Sequence, residues 1–164
     1  MKINGVCMHH DLGCLGAAIN VRALQRQLEI LKEMGCNGIR CSHNPPAPEL
    51  LDLCDRMGFI VMDETFDMWR KRKTAHDYSR YFDEWHERDL NDLMLRDRNH
   101  PCVIAYSTGN EIPECVRPEG GEWSKKLAAE VRKYDDTRFV TCGSFQGEDE
   151  NPGNVGYYEP FDIC

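Results

Sequence analysis

The sequence predicts an α/β fold of the (β/α)8 TIM-barrel type, present in part, with about five β/α units and the start of a sixth strand. Short apolar runs alternate with longer amphipathic segments, which is typical of a parallel sheet with helical crossovers. The clearest run, Phe59-Ile60-Val61-Met62-Asp63, is almost wholly apolar, as in strands buried on both faces. A complete barrel usually needs about 250 residues. We therefore expect residues 1–164 to form a single, incomplete barrel domain.

The predicted elements follow in chain order. The best-defined helix carries Leu24, Leu28 and Leu31 at helical spacing and ends before Gly35. Residues 146–158 are polar and rich in glycine, so they are predicted to be a loop. The predicted strands cover residues 3–7, 38–42, 59–63, 101–107 and 138–142, the start of a sixth covers 161–164, and the predicted helices cover 21–34, 49–57, 82–98 and 123–133.

Composition and charge exclude several classes of protein. The net charge is −8 and the isoelectric point about 5.2, whereas nucleic-acid-binding proteins usually carry clustered basic residues. The longest basic run, Arg70-Lys71-Arg72-Lys73, is interpreted as a solvated loop or helix start. No apolar run approaches the roughly 18–20 residues that span a bilayer, and the amino terminus lacks a signal-peptide pattern. We expect a soluble chain with no nucleic-acid or membrane partner, and its compartment stays open.

The nine cysteines are expected to be reduced and mostly buried. An odd number cannot pair completely within one chain, and no Cys-x-x-Cys spacing is present. Cys7, Cys41, Cys102 and Cys142 fall inside apolar, strand-like runs, where a thiol packs as a small apolar group. This pattern favours folding in a reducing environment over disulfides or metal binding.

Polar residues follow each predicted strand and are the candidates for a functional site. In a parallel barrel the active-site groups gather at the carboxyl ends of the strands. The candidates, strand by strand, are His9, His10 and Asp11; Arg40, Ser42, His43 and Asn44; Asp63, Glu64, Asp67 and Trp69; Ser107, Thr108, Gly109, Asn110 and Glu111; and Ser144 and Gln146. Carboxylates, amides, imidazoles and an indole together suit a polyhydroxylated ligand, because sugars need many hydrogen bonds and an apolar platform.

Some of these candidates have plain structural alternatives. Adjacent strand residues point to opposite faces, so His9 and His10 cannot easily reach one metal ion, and we predict that one of them, His9, lines the pocket. Trp69 is predicted to contact the sugar, with simple loop packing as an equal alternative. Arg40 could be a structural ion-pair partner, but a guanidinium on a barrel strand needs a buried acid, and an active site supplies one.

The strongest single signal is Asn110-Glu111, directly after the fourth predicted strand. Hydrolysis of a glycosidic bond needs one carboxylic acid to protonate the leaving oxygen and a second carboxylate to attack or assist. A neighbouring Asn can hydrogen-bond the 2-hydroxyl of the sugar, an interaction that strengthens as positive charge develops at the anomeric carbon. An isolated Asn-Glu pair is common, but its position at a strand end favours this chemistry.

Several ordered motifs make the chain recognisable as a whole. They are Gly5-Val6-Cys7-Met8-His9-His10-Asp11, Gly38-Ile39-Arg40-Cys41-Ser42-His43-Asn44-Pro45, Leu53-Cys54-Asp55-Arg56-Met57-Gly58, Val61-Met62-Asp63-Glu64, Asn99-His100-Pro101 and Ser107-Thr108-Gly109-Asn110-Glu111. In this order they resemble the central domain of glycoside hydrolase family 2, which includes β-galactosidases, β-glucuronidases and β-mannosidases. The resemblance covers nearly the whole chain.

The resemblance implies roles for the residues that match its motifs. The Glu of the family's Asn-Glu motif is the general acid/base, which points to Glu111. The preceding Asn contacts the sugar 2-hydroxyl, which points to Asn110. The Arg of the second strand helps to hold the nucleophile and the sugar, and the His of the Ser-His motif lines the sugar subsite. These two roles point to Arg40 and His43.

The resemblance also implies what the chain lacks. Asp63 and Glu64 resemble a strand end that borders the same pocket, but the family's nucleophile comes from a seventh strand, which we expect to lie beyond residue 164. A retaining mechanism needs two carboxyl groups about 5–5.5 Å apart. Glu159, in the last loop, is a poor substitute, so we expect the 164-residue piece to be inactive alone. Some family members bind magnesium near the acid/base, but Ile112-Pro113 replaces the polar residues expected there, and we predict no metal or other cofactor.

The predicted function is a retaining β-glycoside hydrolase of the β-galactosidase type, acting on a β-linked glycoside. The acidic pocket half favours a neutral sugar over a uronic acid. The main alternative is a non-catalytic carbohydrate-binding or structural barrel fragment. A metal-dependent hydrolase of another barrel family would need more His and Asp ligands at the strand ends. A partial barrel also exposes sheet edges and apolar faces, so self-association is expected.

Overall fold

The computed structural model describes residues 2–144 and 156–163, and within them the chain forms one parallel sheet. Each strand pairs in parallel with the next strand of the chain, so the order in the sheet is β1-β2-β3-β4-β5. This sequential order is that of a β/α barrel. The strands are β1 (Gly5–His9), β2 (Gly38–Ser42), β3 (Ile60–Glu64), β4 (Val103–Asn110) and β5 (Phe139–Gly143).

A helix connects each pair of neighbouring strands from β1–β2 onward, as the prediction of β/α units requires. The side chain of Asn20 caps α1 by accepting a hydrogen bond from the backbone N–H of Ala23 at 3.0 Å. α2 ends at Gly58, whose φ of 74° is left-handed and readily adopted by glycine. The helices are α1 (Val21–Glu33), α2 (Pro48–Met57), α3 (Ser79–Asp97) and α4 (Pro118–Arg132), and short 3-10 helices cover Gly13–Leu15 and Pro113–Val116.

The largest difference from the predicted elements lies in α4, which begins five residues before the predicted start at residue 123. Pro118 suits the first helical position because its missing N–H would have no helical partner there. Gly120 and Gly121 have low helix propensity, so the sequence pattern did not predict the first turn of α4. A side chain at Gly120 would collide with the backbone carbonyl of Glu114, so close packing on the preceding 3-10 helix requires a glycine there.

The predicted sixth strand is not formed as a regular strand within the described residues 156–163. The segment nevertheless follows the outer edge of β5. The backbone N–H of Asp162 donates to the carbonyl of Val140 at 2.8 Å, and the hydroxyl of Thr141 donates to the carbonyl of Ile163 at 2.6 Å. The segment therefore occupies the place where a sixth strand would continue the barrel. Gln146 and Cys164 lie outside the described residues.

The two faces of the sheet differ in how they are covered. The helix-facing side holds the apolar core, with Leu28, Leu51 and Val61 fully buried. Strand register places Cys7, Arg40, Met62, Ala105 and Phe139 in one row on the opposite, concave face. Phe139 is 54% exposed there, and Cys7 is exposed too, against the prediction that it is buried. This face corresponds to a barrel interior, which needs further strands to close over it.

The remaining cysteines of the apolar runs follow the prediction. Cys41, Cys102 and Cys142 are buried, and the cysteines within the described residues are free thiols. Burial raises the pKa of the Cys142 thiol to about 12, so this group packs in its neutral form. Across residues 2–144 and 156–163, none of the helices is long and apolar enough to cross a membrane.

We predict that the two leucines of α3 differ sharply in their contribution to stability. Leu90 is 0% exposed in the core, whereas Leu95 is 50% exposed on the same helix. Leu90→Ala removes buried methyl groups and leaves a cavity, so it should lower the free energy of unfolding by about 2–5 kcal/mol. Leu95→Ala, the matched control, should change it by no more than about 0.5 kcal/mol. Urea unfolding of the 164-residue chain, at one protein concentration for all variants, measures both, and equal losses would contradict the orientation of α3.

Candidate active site

The carboxylate of Glu64 lies at the centre of the polar side chains at the carboxyl end of the sheet. Glu64 ends β3 and is fully buried. It accepts hydrogen bonds from Arg40 Nε at 2.9 Å and Nη2 at 3.2 Å, and from Ser107 Oγ at 2.7 Å. His43 Nδ1 lies 2.6 Å from Oε1 and carries the proton, because a carboxylate can only accept. These donors offset the cost of withdrawing a charge from water.

Arg40, on β2, links the buried carboxylate of Glu64 to Asn110 at the end of β4. Its Nη2 also donates to Oδ1 of Asn110 at 2.8 Å. Burial alone would lower the pKa of Arg40, but the negative charge and hydrogen bonds of Glu64 outweigh it and hold the pKa above its ordinary value. Arg40 therefore stays charged at the carboxyl ends of β2, β3 and β4.

Asn110, the last residue of β4, is held by partners on both sides of its amide. Its Oδ1 accepts from Arg40, and its Nδ2 donates to Oδ1 of Asp67 at 3.0 Å. Asp67 in turn accepts from Lys73 Nζ at 2.8 Å. Burial alone would raise the pKa of Asp67, but the hydrogen bonds from Lys73 and Asn110 lower it below its ordinary value. Asp67 is therefore an ionised acceptor at neutral pH.

Glu111 follows β4 directly, and its side chain is exposed at this edge of the sheet. Its φ of 45° is left-handed, which is unusual for a residue other than glycine. The backbone N–H of Glu111 donates to the carbonyl of Gly143 at the end of β5, at 2.6 Å. Backbone conformations of this kind persist only where the surroundings enforce them, and they concentrate at functional sites.

The two histidines after β1 are placed differently. The ring of His9 meets that of His43 edge-on, with centroids 5.2 Å apart and planes at 89°. His10 is turned into the loop after β1, where its Nε2 lies 2.9 Å from the carbonyl oxygen of Ala17. The structure thus brings His9 to the candidate site and leaves His10 outside it.

The prediction that Asp63 borders the pocket is wrong. Successive strand residues face opposite sides, so Asp63 points toward the helices while Glu64 points toward the pocket. Asp63 is fully buried beside Asp97 and Arg96 of α3. Burial raises the pKa of Asp63 well above its usual range, and the charge of Asp97 raises it further. Asp63 therefore belongs to the packing between β3 and α3.

The prediction that Trp69 contacts the sugar is also wrong. Its side chain is fully buried, and its Nε1 donates to the carbonyl of Thr108 at 2.8 Å. The indole packs against Phe82 and Tyr157, with ring centroids 6.5 and 5.9 Å away. Trp69 anchors the loop after β3 onto β4 and offers no open face to a ligand.

Sequence reasoning missed Lys73 at this site. The basic run was interpreted as solvated, yet the ammonium of Lys73 also donates to the backbone carbonyls of Asp67 and Asn110, both at 2.6 Å. Lys73 lies in an irregular loop between β3 and α3, so no periodicity could have indicated its direction. Asp67 was among the polar residues after the third strand, but nothing in the sequence paired it with Asn110.

Two further sets of titratable groups lie away from this edge. Glu159 pairs with Lys125 of α4 at 2.7 Å, with both side chains more than half exposed. Within the described part of the chain, the group of three possible metal ligands is Asp55, His100 and Cys102. It lies at the amino end of β4, on the opposite edge of the sheet from Glu111.

Comparison with known families agrees with this architecture. The family model "Glycosyl hydrolases family 2, TIM barrel domain" matches residues 1–153. The β-galactosidase BoGH2A of Bacteroides ovatus is 60% identical over 93% of this chain, which covers 21% of that protein. A putative β-glucuronidase of Formosa agariphila is 42% identical over 91% of this chain, which covers 14% of that protein. The chain thus spans about a fifth or less of these relatives.

Solved structures give the same result. A glycosyl hydrolase family 2 member from Bacteroides cellulosilyticus superposes with a TM-score of 0.93 at 43% identity, over 100% of this chain and 21% of that chain. The β-glucuronidase of Ruminococcus gnavus superposes with a TM-score of 0.83 at 29% identity, over 98% of this chain and 27% of that chain.

We predict that Gly143 cannot be replaced without disturbing Arg40. A Cβ at Gly143 would lie 2.5 Å from Arg40 Nη2, whereas a Cβ at Gly5 in β1 would meet its nearest atom at 3.5 Å. Gly143→Ala should displace the guanidinium from buried Glu64 and lower the free energy of unfolding by about 1–3 kcal/mol. Gly5→Ala, the control, should leave it unchanged or slightly raised. Urea unfolding compares the two, and equal effects would argue against the tight packing on Arg40.

Proposed function

The chain belongs to glycoside hydrolase family 2, and from this premise we propose that it supplies the acid/base part of the catalytic barrel of a retaining β-glycoside hydrolase. Glu111 is the general acid/base in this proposal. The observation that carries it is the exposed Glu111 carboxylate at the carboxyl end of β4, beside an Asn110 amide held by Arg40 and Asp67. Parallel barrels place their reacting groups at this edge.

Glu111 has the access that the proposed chemistry needs. A general acid must reach the glycosidic oxygen as the bond breaks, and in a retaining enzyme the same group then accepts a proton from the attacking water. Asn110 lies one residue before it and can contact the 2-hydroxyl, where hydrogen bonds strengthen in the transition state. Both proposed roles thus belong to adjacent residues in one short segment at the end of β4.

Glu64 is unsuited to the role of nucleophile. Both of its oxygens are engaged by Arg40, His43 and Ser107, and its side chain is fully buried. We assign it the task of holding Arg40. Among the described residues, Nη1 of Arg40 contacts the sulfur of Cys7 at 4.0 Å, a weak interaction that leaves this nitrogen able to meet a second carboxylate. We propose that this carboxylate comes from a seventh strand.

The proposed substrate is a β-linked glycoside of a neutral sugar, of the galactoside type. Glu64, Asp67 and Glu111 contribute three acidic groups to the site against Arg40 and Lys73, and Arg40 is already paired with Glu64. A uronic acid would add a negative charge without a free cation among these residues. The 60% identical B. ovatus protein is named a β-galactosidase, which supports the same choice.

We predict that Glu111→Gln in the full-length enzyme acts most strongly on substrates that need acid assistance. A loss of about 100- to 10,000-fold in kcat/KM is expected for glycosides of poorly leaving alcohols, because general acid catalysis contributes that much. Dinitrophenyl glycosides, whose leaving group departs without a proton, should lose far less in kcat/KM. Steady-state kinetics on the two substrate classes measures the difference.

Glu159→Gln is the matched control for this experiment, because Glu159 is exposed and paired with Lys125 on the outer surface. It should leave the kinetics on both substrate classes unchanged. Equal losses for good and poor leaving groups with Glu111→Gln would refute the acid/base assignment. A binding module without catalysis, the main alternative, would show no turnover that depends on Glu111.

We predict that the 164-residue chain by itself has no activity on nitrophenyl glycosides and self-associates. The described strands supply one exposed candidate carboxylate directly beyond a strand end, whereas retention needs a second about 5–5.5 Å away. The open concave face, with Phe139 and Ile3 more than half exposed, favours association. Activity assays and light scattering test both points. Turnover abolished by Glu111→Gln, or a well-folded monomer, would contradict the corresponding half of this prediction.

A further inference from the structure

We propose that Asp67 and Lys73 form a positioning pair that sets the orientation of Asn110 toward the 2-hydroxyl of the sugar. The inference rests on the proposed function and adds two residues to it. Neither residue is assigned a contact with the substrate. Both act through Asn110, one on its side chain and the other on its backbone.

The side-chain part follows from the chemistry of the two partners of Asn110. Arg40 can only donate and the ionised Asp67 can only accept, so the amide oxygen faces Arg40 and the amide nitrogen faces Asp67. Rotating the amide by half a turn would set donor against donor and acceptor against acceptor. One N–H and one oxygen lone pair of the amide then remain for a ligand, in fixed directions.

The backbone part depends on Lys73. Its ammonium has three N–H donors, and they meet three acceptors: Oδ1 of Asp67 at 2.8 Å, the carbonyl of Asp67 at 2.6 Å and the carbonyl of Asn110 at 2.6 Å. The carbonyl of Asn110 belongs to the peptide that leads into Glu111, whose φ is 45°. Lys73 thus holds both the carboxylate that orients the amide of Asn110 and the backbone of Asn110 itself.

This arrangement differs from an ordinary surface ion pair, which contributes little because its side chains stay mobile and solvated. The side chains of Lys73 and Asp67 are only 21% and 33% exposed. The backbone of Lys73 is itself held, because its N–H and that of Thr74 both donate to Asp77 Oδ2, at 2.6 and 2.7 Å. The pair is therefore preorganised before any ligand arrives.

The test compares a glycoside with its 2-deoxy analogue in the full-length enzyme. The substrate is the nitrophenyl glycoside that the enzyme turns over fastest. Lys73→Met keeps an unbranched side chain, one atom shorter, and removes the charge and the three donors. It should lower kcat/KM on the glycoside about 10- to 100-fold, mainly through kcat, because the 2-hydroxyl contact strengthens in the transition state. On the 2-deoxy analogue the loss should stay within about threefold.

Three controls separate positioning from loss of structure. Lys71→Met makes the same substitution two residues away, where the ammonium lies 4.0 Å from Glu119 outside the site, and it should affect neither substrate. Lys73→Arg keeps the charge and should restore part of the activity on the glycoside. In an Asn110→Ala background, Lys73→Met should cost little more, because the group that it positions is gone.

The outcomes distinguish this inference from the proposed function. If Glu111→Gln removes acid-dependent turnover but Lys73→Met lowers kcat/KM equally on both substrates, or not at all, the positioning pair is refuted and the proposed function stands. If Glu111→Gln leaves acid-dependent turnover intact, the proposed function itself fails. A loss confined to the substrate with a 2-hydroxyl, and absent in the Asn110→Ala background, supports the pair.

Discussion

The buried charge of Glu64 is the constraint on which the rest of the site depends. A carboxylate out of contact with water is costly unless donors surround it, and here they come from β2, the loop after β2, and β4. Meeting this requirement draws three neighbouring strand ends to one point. Because Arg40 is fixed by Glu64, its Nη2 is also directed at Oδ1 of Asn110. The ion pair of Arg40 and buried Glu64 thereby fixes the side chain of Asn110, the residue next to Glu111.

The backbone at Gly143 and Glu111 also helps to hold the site together. Gly143 has no side chain, so the guanidinium of Arg40 can lie against the end of β5, and the carbonyl of Gly143 accepts from the N–H of Glu111. One glycine thus makes room for the cation and holds the strand end that carries Glu111, the proposed acid/base residue. The left-handed φ of Glu111 is enforced from the β5 side by this bond and from the other side by Lys73 on the preceding carbonyl. Such enforcement is what keeps an unfavourable backbone conformation populated.

Sequence patterns predicted the fold well because each β/α unit has its own apolar spacing and turn residues, and relatives at up to 60% identity confirm the family. They predicted the site less well, for physical reasons. Asp63 and Glu64 are equally polar and adjacent, and only register decides which of them faces the helices. The indole N–H of Trp69 donates to a backbone carbonyl, and no sequence pattern indicates such a partner. Lys73 lies in an irregular loop, where the direction of a side chain depends on tertiary contacts alone.

The two sides of the partial barrel differ in how complete they are. The side chains that hold Asn110 come from β2 and the loop after β3, and the N–H of Glu111 donates to β5, so the proposed acid/base side is organised by the described strands and their loops. The concave face is different, because Phe139 is exposed on it and Arg40 Nη1 has only a distant thiol beside it. Strands that cover this apolar face would carry their own carboxyl ends to the same edge as Glu111. Under the proposed function, the strands that close the barrel would also bring the second carboxylate beside Arg40.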